Sequence, residues 1–164
     1  MRTLVAVDAQ NLYYSARKAG GKVDFQKLWT RIRALGPDTL AIVYLIRGDF
    51  DSNSFEGLLR GIGYRLSARK TKQIRVGDRV RTKYGSHEIR IALDAVVKFV
   101  DSYDQFILVS GDVDYSDLFK HLDTIEKKTE FWSFNRELCP EMLRTVHKVD
   151  FLGKDLLQDQ QENG

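Results

Sequence analysis

Short apolar runs rich in β-branched residues alternate along the chain with segments in which apolar residues recur every three or four positions. The first pattern is typical of buried strands, and the second of helices packed on one face. The runs predict strands at residues 3–7, 40–46, 64–68, 106–109, 129–134 and 149–152. The helical segments are residues 25–35, 52–62, 87–100, 116–126 and 140–146, with Asp24 and Ser116 as candidate N-caps.

Strands separated by helices predict an α/β fold, in which helices cover both faces of a central, mostly parallel sheet of five or six strands. Ligands of such three-layer folds bind beyond the carboxyl ends of the strands, near the point where the strand order reverses. With 164 residues the chain fits one domain, expected over residues 1–157 and followed by a polar tail at residues 158–164.

Residues 73–84 show a different pattern, because apolar residues or threonine alternate with arginines on both sides of Gly77-Asp78. Two alternating runs around a two-residue turn predict a β-hairpin. A mobile loop is the alternative interpretation of the same residues.

Positive charge is concentrated around this segment. Residues 65–83 carry a net charge of +7 while the whole chain carries +3, which leaves −4 for the remainder. The basic residues are Arg65, Arg69, Lys70, Lys72, Arg75, Arg79, Arg81 and Lys83. This asymmetry predicts a polyanionic partner at one face of the protein, although a solvated basic loop would give the same pattern.

The composition is that of an ordinary globular protein, with 43% hydrophobic and 30% charged residues. Cys139 is the only cysteine, so no internal disulfide forms. His87, His121 and His147 lack the spacing of a zinc site and are expected at the surface or at helix ends. No stretch approaches the roughly 20 apolar residues of a membrane helix. A soluble, cytoplasmic protein without a membrane partner is therefore expected.

Two of the predicted strands end in carboxylates. Asp8 closes the first strand, and Asp112 and Asp114 follow the strand at residues 106–109. If these strands are neighbours, the three acids converge, and their repulsion favours a divalent cation such as Mg²⁺ or Mn²⁺. Such ions activate water and neutralise charge in phosphoryl transfer. Carboxylates in these positions are also typical of helix caps and Asx-turns.

Asp94 is a fourth candidate, because it interrupts an apolar helical stretch in which an unpaired buried carboxylate would be costly. An ion pair with Arg90, one helical turn earlier, is the alternative explanation. Glu88 lies six residues before Asp94, so the two acids do not share a helical face. They are expected at opposite sides of a pocket.

Three sequence blocks resemble those of the NYN domain family, a branch of the PIN-like nuclease superfamily. Residues 4–12 are similar to the family's opening strand followed by Asp-x-x-Asn-Leu. Residues 88–94 resemble its Asp-Val-x-Leu-Ala-Val-Asp helix, and residues 107–115 its Leu-Val-Ser-Gly-Asp-x-Asp-Phe block. The third block is the most specific, and the order and rough spacing of all three match over nearly the whole chain.

The resemblance implies a Rossmann-like (PIN-like) three-layer fold and hydrolysis of RNA phosphodiester bonds at an acidic pocket that binds Mg²⁺ or Mn²⁺. By position, it implies that the metal-binding acids are Asp8, Asp94 and Asp112. It further implies Asp114 as another ligand or a partner of metal-bound water, and Asn11 as a residue that holds such a water or contacts phosphate.

Two positions depart from the family pattern: Glu88 replaces the usual aspartate, and Ser86 replaces a glycine. Glutamate keeps the charge but moves it outward by one methylene, so Glu88 is either a weakened or a supporting member of the catalytic set. A catalytically weak or inactive RNA-binding module is therefore the alternative function. A phosphatase of the haloacid dehalogenase type also uses Asp-x-Asp after a strand, but there the motif usually closes the first strand and needs a supporting lysine.

The expected partner is RNA in single-stranded form, and a homodimer is left open. Candidate contacts to its phosphates are Arg75, Arg79, Arg81 and Lys83. Candidate stacking partners for unpaired bases are Tyr14 and, less specifically, Tyr13 and Tyr84, since aromatic residues are more often part of a core.

Overall fold

The computed structural model describes residues 1–47, 52–83, 87–112 and 114–160. The strands are β1 (Thr3–Asp8), β2 (Thr39–Arg47), β3 (Arg65–Lys70), β4 (Lys72–Val76), β5 (Arg79–Lys83), β6 (Gln105–Val109), β7 (Lys128–Ser133) and β8 (Lys148–Phe151). The α-helices are α1 (Ala9–Lys18), α2 (Phe25–Arg33), α3 (Ser52–Ile62), α4 (Glu88–Leu93), α5 (Ser116–Thr124) and α6 (Pro140–Thr145). A π-helical turn follows α4 at Asp94–Lys98, and short 3₁₀ helices lie at Val100–Ser102 and Lys154–Leu156.

Six strands form one parallel sheet in the order β3-β2-β1-β6-β7-β8. The order reverses between the neighbouring strands β1 and β6, so this is the point at which the carboxyl edge of the sheet opens into a crevice. β4 and β5 pair antiparallel in a separate two-stranded sheet, and the predicted hairpin is thereby confirmed. The predicted three-layer α/β fold is confirmed as well.

Each face of the sheet packs against three helices, because alternate strand residues point to opposite faces. Val5 and Val7 of β1 belong to the core beneath α1, α2 and α3. Leu4 and Ala6 belong to the core beneath α4, α5 and α6. The same alternation brings Asp8, at the end of β1, to the α4–α6 face.

Most elements have the predicted bounds to within one or two residues, and Asp24 is the N-cap of α2, as expected. The Asp24 carboxylate accepts hydrogen bonds from the backbone N–H groups of Gln26 and Lys27, both at 3.0 Å. Ser116, in contrast, is the first residue of α5 and not its N-cap. The preceding Asp114 carboxylate accepts hydrogen bonds from the Ser116 N–H and hydroxyl groups instead.

The sequence pattern does not predict α1. Its buried residues, among them Leu12 and Ala16, do recur at helical spacing. Tyr13 and Tyr14 lie between them and are exposed, which interrupts the apolar periodicity. The helix is therefore stabilised by packing against β1 and β2, and its own sequence signal is weak.

The long helix predicted at residues 87–100 is shorter and changes form at Asp94. From this residue the backbone widens into the π-helical turn, in which the Phe99 N–H donates to the Asp94 carbonyl oxygen. π-Turns of this kind are frequent at functional sites. The residues buried here are Ile91, Asp94 and Ala95, while the apolar side chains that predict the helix are largely exposed: Ile89, Leu93 and Val97.

The predicted polar tail is attached at its beginning. The Gln158 N–H donates to the Lys22 carbonyl oxygen at 2.8 Å, and Lys27 pairs with Asp159 at 3.0 Å. Within the ranges that the structure describes, no helix is both long and apolar enough to cross a membrane.

Candidate functional site

Asp8 lies at the carboxyl edge of the sheet, on the central strand next to the reversal of strand order. Its side chain is 3% exposed. One carboxylate oxygen, Oδ2, accepts three hydrogen bonds: from Asn11 Nδ2 at 2.7 Å, Ser110 Oγ at 3.0 Å and the Tyr115 hydroxyl at 3.0 Å. Burial and the negative charge of Asp8 raise the pKa of the Tyr115 hydroxyl, which therefore stays protonated as a donor. Asp8 Oδ1 accepts no hydrogen bond from the described residues.

The loop after β6 carries the next two acids in a series of short turns. Ser110 Oγ accepts from the Asp112 N–H at 3.0 Å, and Asp112 Oδ1 accepts from the Asp114 N–H at 3.1 Å. Asp114 Oδ1 in turn accepts from the Ser116 hydroxyl at 2.8 Å, and its bonds to Ser116 lower the pKa of Asp114. Asp114 thus holds the start of α5, as the Asx-turn alternative expects.

Glu88 joins Asp112 at this site. A hydrogen bond between the two carboxyl groups, followed by partial burial and the charges of Asp112, Asp8 and Asp114, raises the pKa of Glu88 to about 7. Carboxylates this close repel one another, and a bound cation would offset that repulsion. The structure therefore brings together Glu88, Asp112 and the neighbouring Asp8.

Asp94 is the first residue of the π-helical turn and is buried at 6% exposure. Its Oδ2 accepts a hydrogen bond from the Tyr44 hydroxyl at 2.8 Å. Tyr44 is the β2 partner of Asp8 in the strand register, so Asp94 is connected to the Asp8 site through this ring. Among the described residues there is no ion pair between Asp94 and Arg90, the alternative partner considered from the sequence.

The donors of this cluster fit a hard divalent cation in kind, since carboxylate and amide oxygens are the ligands that Mg²⁺ and Mn²⁺ prefer. Among the residues that the structure describes, no group of three or more acidic, histidine or cysteine side chains is placed to hold a metal ion. Mg²⁺ commonly retains several waters and binds through only one or two carboxylates, so an open, partial set of ligands is sufficient. Asp8 Oδ1, which accepts no hydrogen bond from the described residues, and the Asp112 carboxylate match this mode of binding.

The family model of the NYN domain matches residues 2–152, which is nearly the whole chain. The chain belongs to the NYN domain family. Membership is consistent with a nuclease fold, and it confirms the resemblance seen in the three sequence blocks.

Solved structures give this NYN domain relatives in fold. A protein of unknown function from Vibrio parahaemolyticus, VPA0982, has a TM-score of 0.77 and 24% identity, with 96% of both chains covered. MurG of Acinetobacter baumannii has a TM-score of 0.51 and 8% identity, with 98% of this chain and 44% of that chain covered. At these identities both likenesses show the fold alone. No curated protein matches the chain.

The basic hairpin of the NYN domain separates its charges between two faces. The register pairs Ile74 with Arg81 and Val76 with Arg79, so these side chains share one face with Lys72. Arg75 pairs with Val80 on the opposite face. The predicted phosphate contacts are thus divided, with Arg79 and Arg81 together and Arg75 apart from them.

The remaining candidates for RNA contact are only partly described. Lys83 is the last residue of β5 and pairs in register with Lys72. Tyr14 is 57% exposed on α1, where its ring makes an edge contact with that of Tyr13. Tyr84 and Ser86 lie outside the described residues.

His87 precedes α4, a helix end as expected, but it is buried at 3% exposure and not at the surface. Its Nε2–H donates to the Leu45 carbonyl oxygen at 2.6 Å. Burial lowers the pKa of His87, so the ring is neutral at physiological pH. Sequence reasoning also missed the supporting residues Tyr44 and Tyr115, because their roles depend on which strands are neighbours.

Proposed function

We propose that this NYN domain is a metal-dependent ribonuclease that hydrolyses phosphodiester bonds of single-stranded RNA with Mg²⁺ or Mn²⁺. The observation that carries the proposal is the contact between the Glu88 and Asp112 carboxyl groups beside Asp8, at the reversal of strand order. Acids held this close are unfavourable in the apo protein and favour a cation.

Asp8, Asp112 and Glu88 would hold the ion, which when bound supplies an activated water and charge neutralisation at the phosphate. Asn11, Ser110 and Tyr115 fix the orientation of Asp8 through its Oδ2. This arrangement leaves Oδ1 as the oxygen that would face the ion. Asp114 accepts hydrogen bonds from Ser116 and so positions the loop that carries Asp112. We therefore assign Asp114 a supporting role.

We assign Asp94 to the wall of the acidic site, near Asp8. Its bond to the Tyr44 hydroxyl neutralises the cost of burial only in part, so it adds negative potential next to Asp8. That potential strengthens cation binding without requiring Asp94 itself to reach the ion. Asp94→Asn should therefore weaken apparent affinity for Mn²⁺ and leave turnover at saturating Mn²⁺ largely intact.

The substrate assignment rests on charge. The basic face of the hairpin, with Lys72, Arg79 and Arg81, immediately precedes in sequence the segment that leads to Glu88. Basic side chains at this position provide phosphate contacts without reading the base sequence. Exposed Tyr14 adds a stacking surface for an unpaired base.

Cleavage of a labelled single-stranded RNA in Mn²⁺, in Mg²⁺ and in EDTA tests the proposal. Asp112→Asn should lower the cleavage rate by at least about 100-fold. Substitution of residues that only hydrogen-bond to metal ligands already lowers metal affinity or activity by about 10- to 100-fold. Asp117→Asn is the matched control, because Asp117 is exposed on α5 five residues away and should leave the rate unchanged. Cleavage that persists in EDTA or in Asp112→Asn would contradict the proposal.

A catalytically inactive RNA-binding module is the second candidate, favoured by Glu88 in place of the family's aspartate. Here the Glu88 and Asp112 carboxyl groups would remain in contact without a cation between them. This function predicts salt-dependent RNA binding that is unchanged by EDTA and by Asp112→Asn, with no turnover. Metal-dependent cleavage by the wild type separates the two candidates. Glu88→Asp tests the cause, since cleavage gained only in this variant would show that Glu88 inactivates the site.

A further inference from the structure

A cavity of about 700 Å³ opens on the α1–α3 face of the sheet. The acidic cluster of Asp8, Glu88 and Asp112 lies on the opposite, α4–α6 face. It lies between α1, the start of α2, the end of β2 and α3. Its wall is mainly apolar and aromatic: Tyr13, Tyr14, Val23, Phe25, Leu45, Phe55, Leu58 and Ile62. The volume lies within the range of pockets that hold small molecules and cofactors.

Polar groups of both signs complete the wall. The Arg47 guanidinium donates through Nε to the buried Glu56 carboxylate at 2.9 Å, and its side chain remains 40% exposed. Gln10 and Gln26 each add an amide that both donates and accepts. A fatty acyl chain cannot form hydrogen bonds with these groups. A nucleobase has donors and acceptors on its edge and an apolar face for stacking.

The cavity and the acidic cluster meet at the turn from β1 to α1. Asp8 ends β1, and the next two residues, Ala9 and Gln10, line the cavity. On β2, Leu45 lines the cavity while its carbonyl oxygen accepts the hydrogen bond from His87, the residue before Glu88. The cavity and the Asp8 carboxylate are therefore separated by this one turn, with Asp8 on the α4–α6 face and the cavity on the α1–α3 face.

We propose that this cavity accepts one nucleobase of the bound strand, stacked on Tyr14 and held at its edge by the Gln10 and Gln26 amides. The proposal rests on the ribonuclease proposal for the identity of the strand, but binding in the cavity itself needs no cation. It assigns Tyr14, Leu58 and the two glutamines to binding of the substrate and none of them to the chemical step.

Binding of adenosine monophosphate and of ribose 5-phosphate is measured in EDTA by ligand-observed NMR and calorimetry. Leu58→Glu places a carboxylate in the cavity wall, at a residue that is 56% exposed in helix α3. Leu143→Glu is the matched control, because Leu143 is 48% exposed on α6, on the opposite face of the sheet. Tyr14→Ala removes the stacking ring, and Tyr14→Phe retains it.

Wild type should bind adenosine monophosphate more tightly than ribose 5-phosphate. Leu58→Glu and Tyr14→Ala should each lose about tenfold in affinity, in line with stacking energies, while Leu143→Glu and Tyr14→Phe remain near wild type. In RNA cleavage, Leu58→Glu should raise KM and leave kcat unchanged.

Equal binding of the two probes, or unchanged binding by Leu58→Glu, would overturn the cavity proposal even if RNA is cleaved. Base-dependent binding that Leu58→Glu abolishes, in a protein that cleaves no RNA, would support the cavity and overturn the ribonuclease proposal alone. Asp112→Asn should bind the nucleotide as wild type does, which keeps the two proposals distinguishable.

Discussion

Asp8 is a buried carboxylate whose three hydrogen bonds all reach one oxygen. A charge removed from water needs such compensation, and bonds to a charged acceptor are stronger than those between neutral groups. The donors come from α1, from the loop after β6 and from the residue before α5. The geometry of Asp8 therefore depends on contacts between segments that are far apart in sequence.

Because Asp8 is charged, its hydrogen bond from the Tyr115 hydroxyl should stabilise the fold more than a hydrogen bond from a tyrosine hydroxyl to a neutral acceptor. Tyr115→Phe should lower the free energy of unfolding by about 2 kcal/mol, the value typical of a hydrogen bond to a charged group. Tyr64→Phe is the control, since the Tyr64 hydroxyl donates to the neutral carbonyl oxygen of Phe25 at 2.8 Å and should cost about 1 kcal/mol. Urea unfolding of both variants measures the difference, and equal losses would show that the carboxylate adds nothing.

Gly111 is required by a close approach of α1 to the loop that carries Asp112. A Cβ at this position would lie 2.5 Å from Ser15 Oγ and closer still to the Asn11 carbonyl oxygen. Gly111→Ala should therefore destabilise the protein by about 1–3 kcal/mol, as overpacking does, and displace Asp112. Thermal unfolding and the cleavage assay measure the two effects.

Gly57 provides the matched control for that substitution. It lies within α3, where an added Cβ meets nothing within 4 Å. Gly57→Ala should stabilise the protein by up to about 1 kcal/mol, because alanine favours a helix interior over glycine. A destabilisation similar to that of Gly111→Ala would mean that the close approach to α1 is not the cause.

At the scale of elements, the hairpin β4–β5 shows what the strand register adds to a sequence pattern. Alternation along each strand predicts two faces, but only the pairing determines which residues of the two strands share a face. The pairing of Val76 with Arg79 and of Ile74 with Arg81 makes one face strongly basic. Arg75 is on the other face.

The basic face of the hairpin should control the salt dependence of RNA binding. Arg79→Gln combined with Arg81→Gln should reduce the slope of log K against log salt by roughly 1.4, at about 0.7 per phosphate contact on a single strand. Arg75→Gln should change the slope little. Fluorescence anisotropy over a salt series measures both slopes, and an equal effect of Arg75 would contradict the assignment of faces.

The sequence pattern was sufficient to predict the elements whose buried positions form a continuous apolar run in the sequence. β1 is buried at every position and β6 nearly so, and each appears as a short apolar run. α1 has only a narrow buried stripe, and its packing partners lie on other elements, so no local signal was strong enough. The π-helical turn at Asp94 also lacks a local signal, and the partner of its first side chain, Tyr44, lies on β2, 50 residues earlier in the sequence.

The acids of the candidate site were predictable because they close strands or interrupt an apolar helix. Their grouping was not, since it depends on the neighbouring positions of β1 and β6 in the sheet. The contact of Glu88 with Asp112 is one such result of topology. The cavity is another, because its wall combines α1, which has a weak sequence signal, with α2, α3 and β2.

At the scale of the whole molecule, the two edges of the sheet differ in charge organisation. The carboxyl edge gathers acids whose repulsion is only partly compensated, which is where binding of a cation is proposed. The amino edge is closed by an ion pair, in which Arg2 Nη2 lies 2.9 Å from Asp104 Oδ1 and the Arg2 N–H donates to Oδ2. This pair joins the starts of β1 and β6, the same two strands that carry the candidate site at their other ends.

The amino-edge pair should make stability depend on pH in the acid range. Hydrogen bonds from Arg2, together with its charge, lower the pKa of Asp104 to about 2 from its usual 3.8. A carboxyl group whose folded pKa is lowered stabilises the fold above its unfolded pKa, and that contribution is lost as the pH falls through its folded pKa. The stability difference between wild type and Asp104→Asn should thus be constant above about pH 5 and be lost progressively as the pH falls to and below about 2. An NMR titration of the Asp104 carboxyl group measures its pKa, and urea unfolding at each pH measures the stability difference. Asp117→Asn, at an exposed residue, is the control. A titration midpoint near pH 4 would show that Arg2 does not hold the two central strands together at this edge.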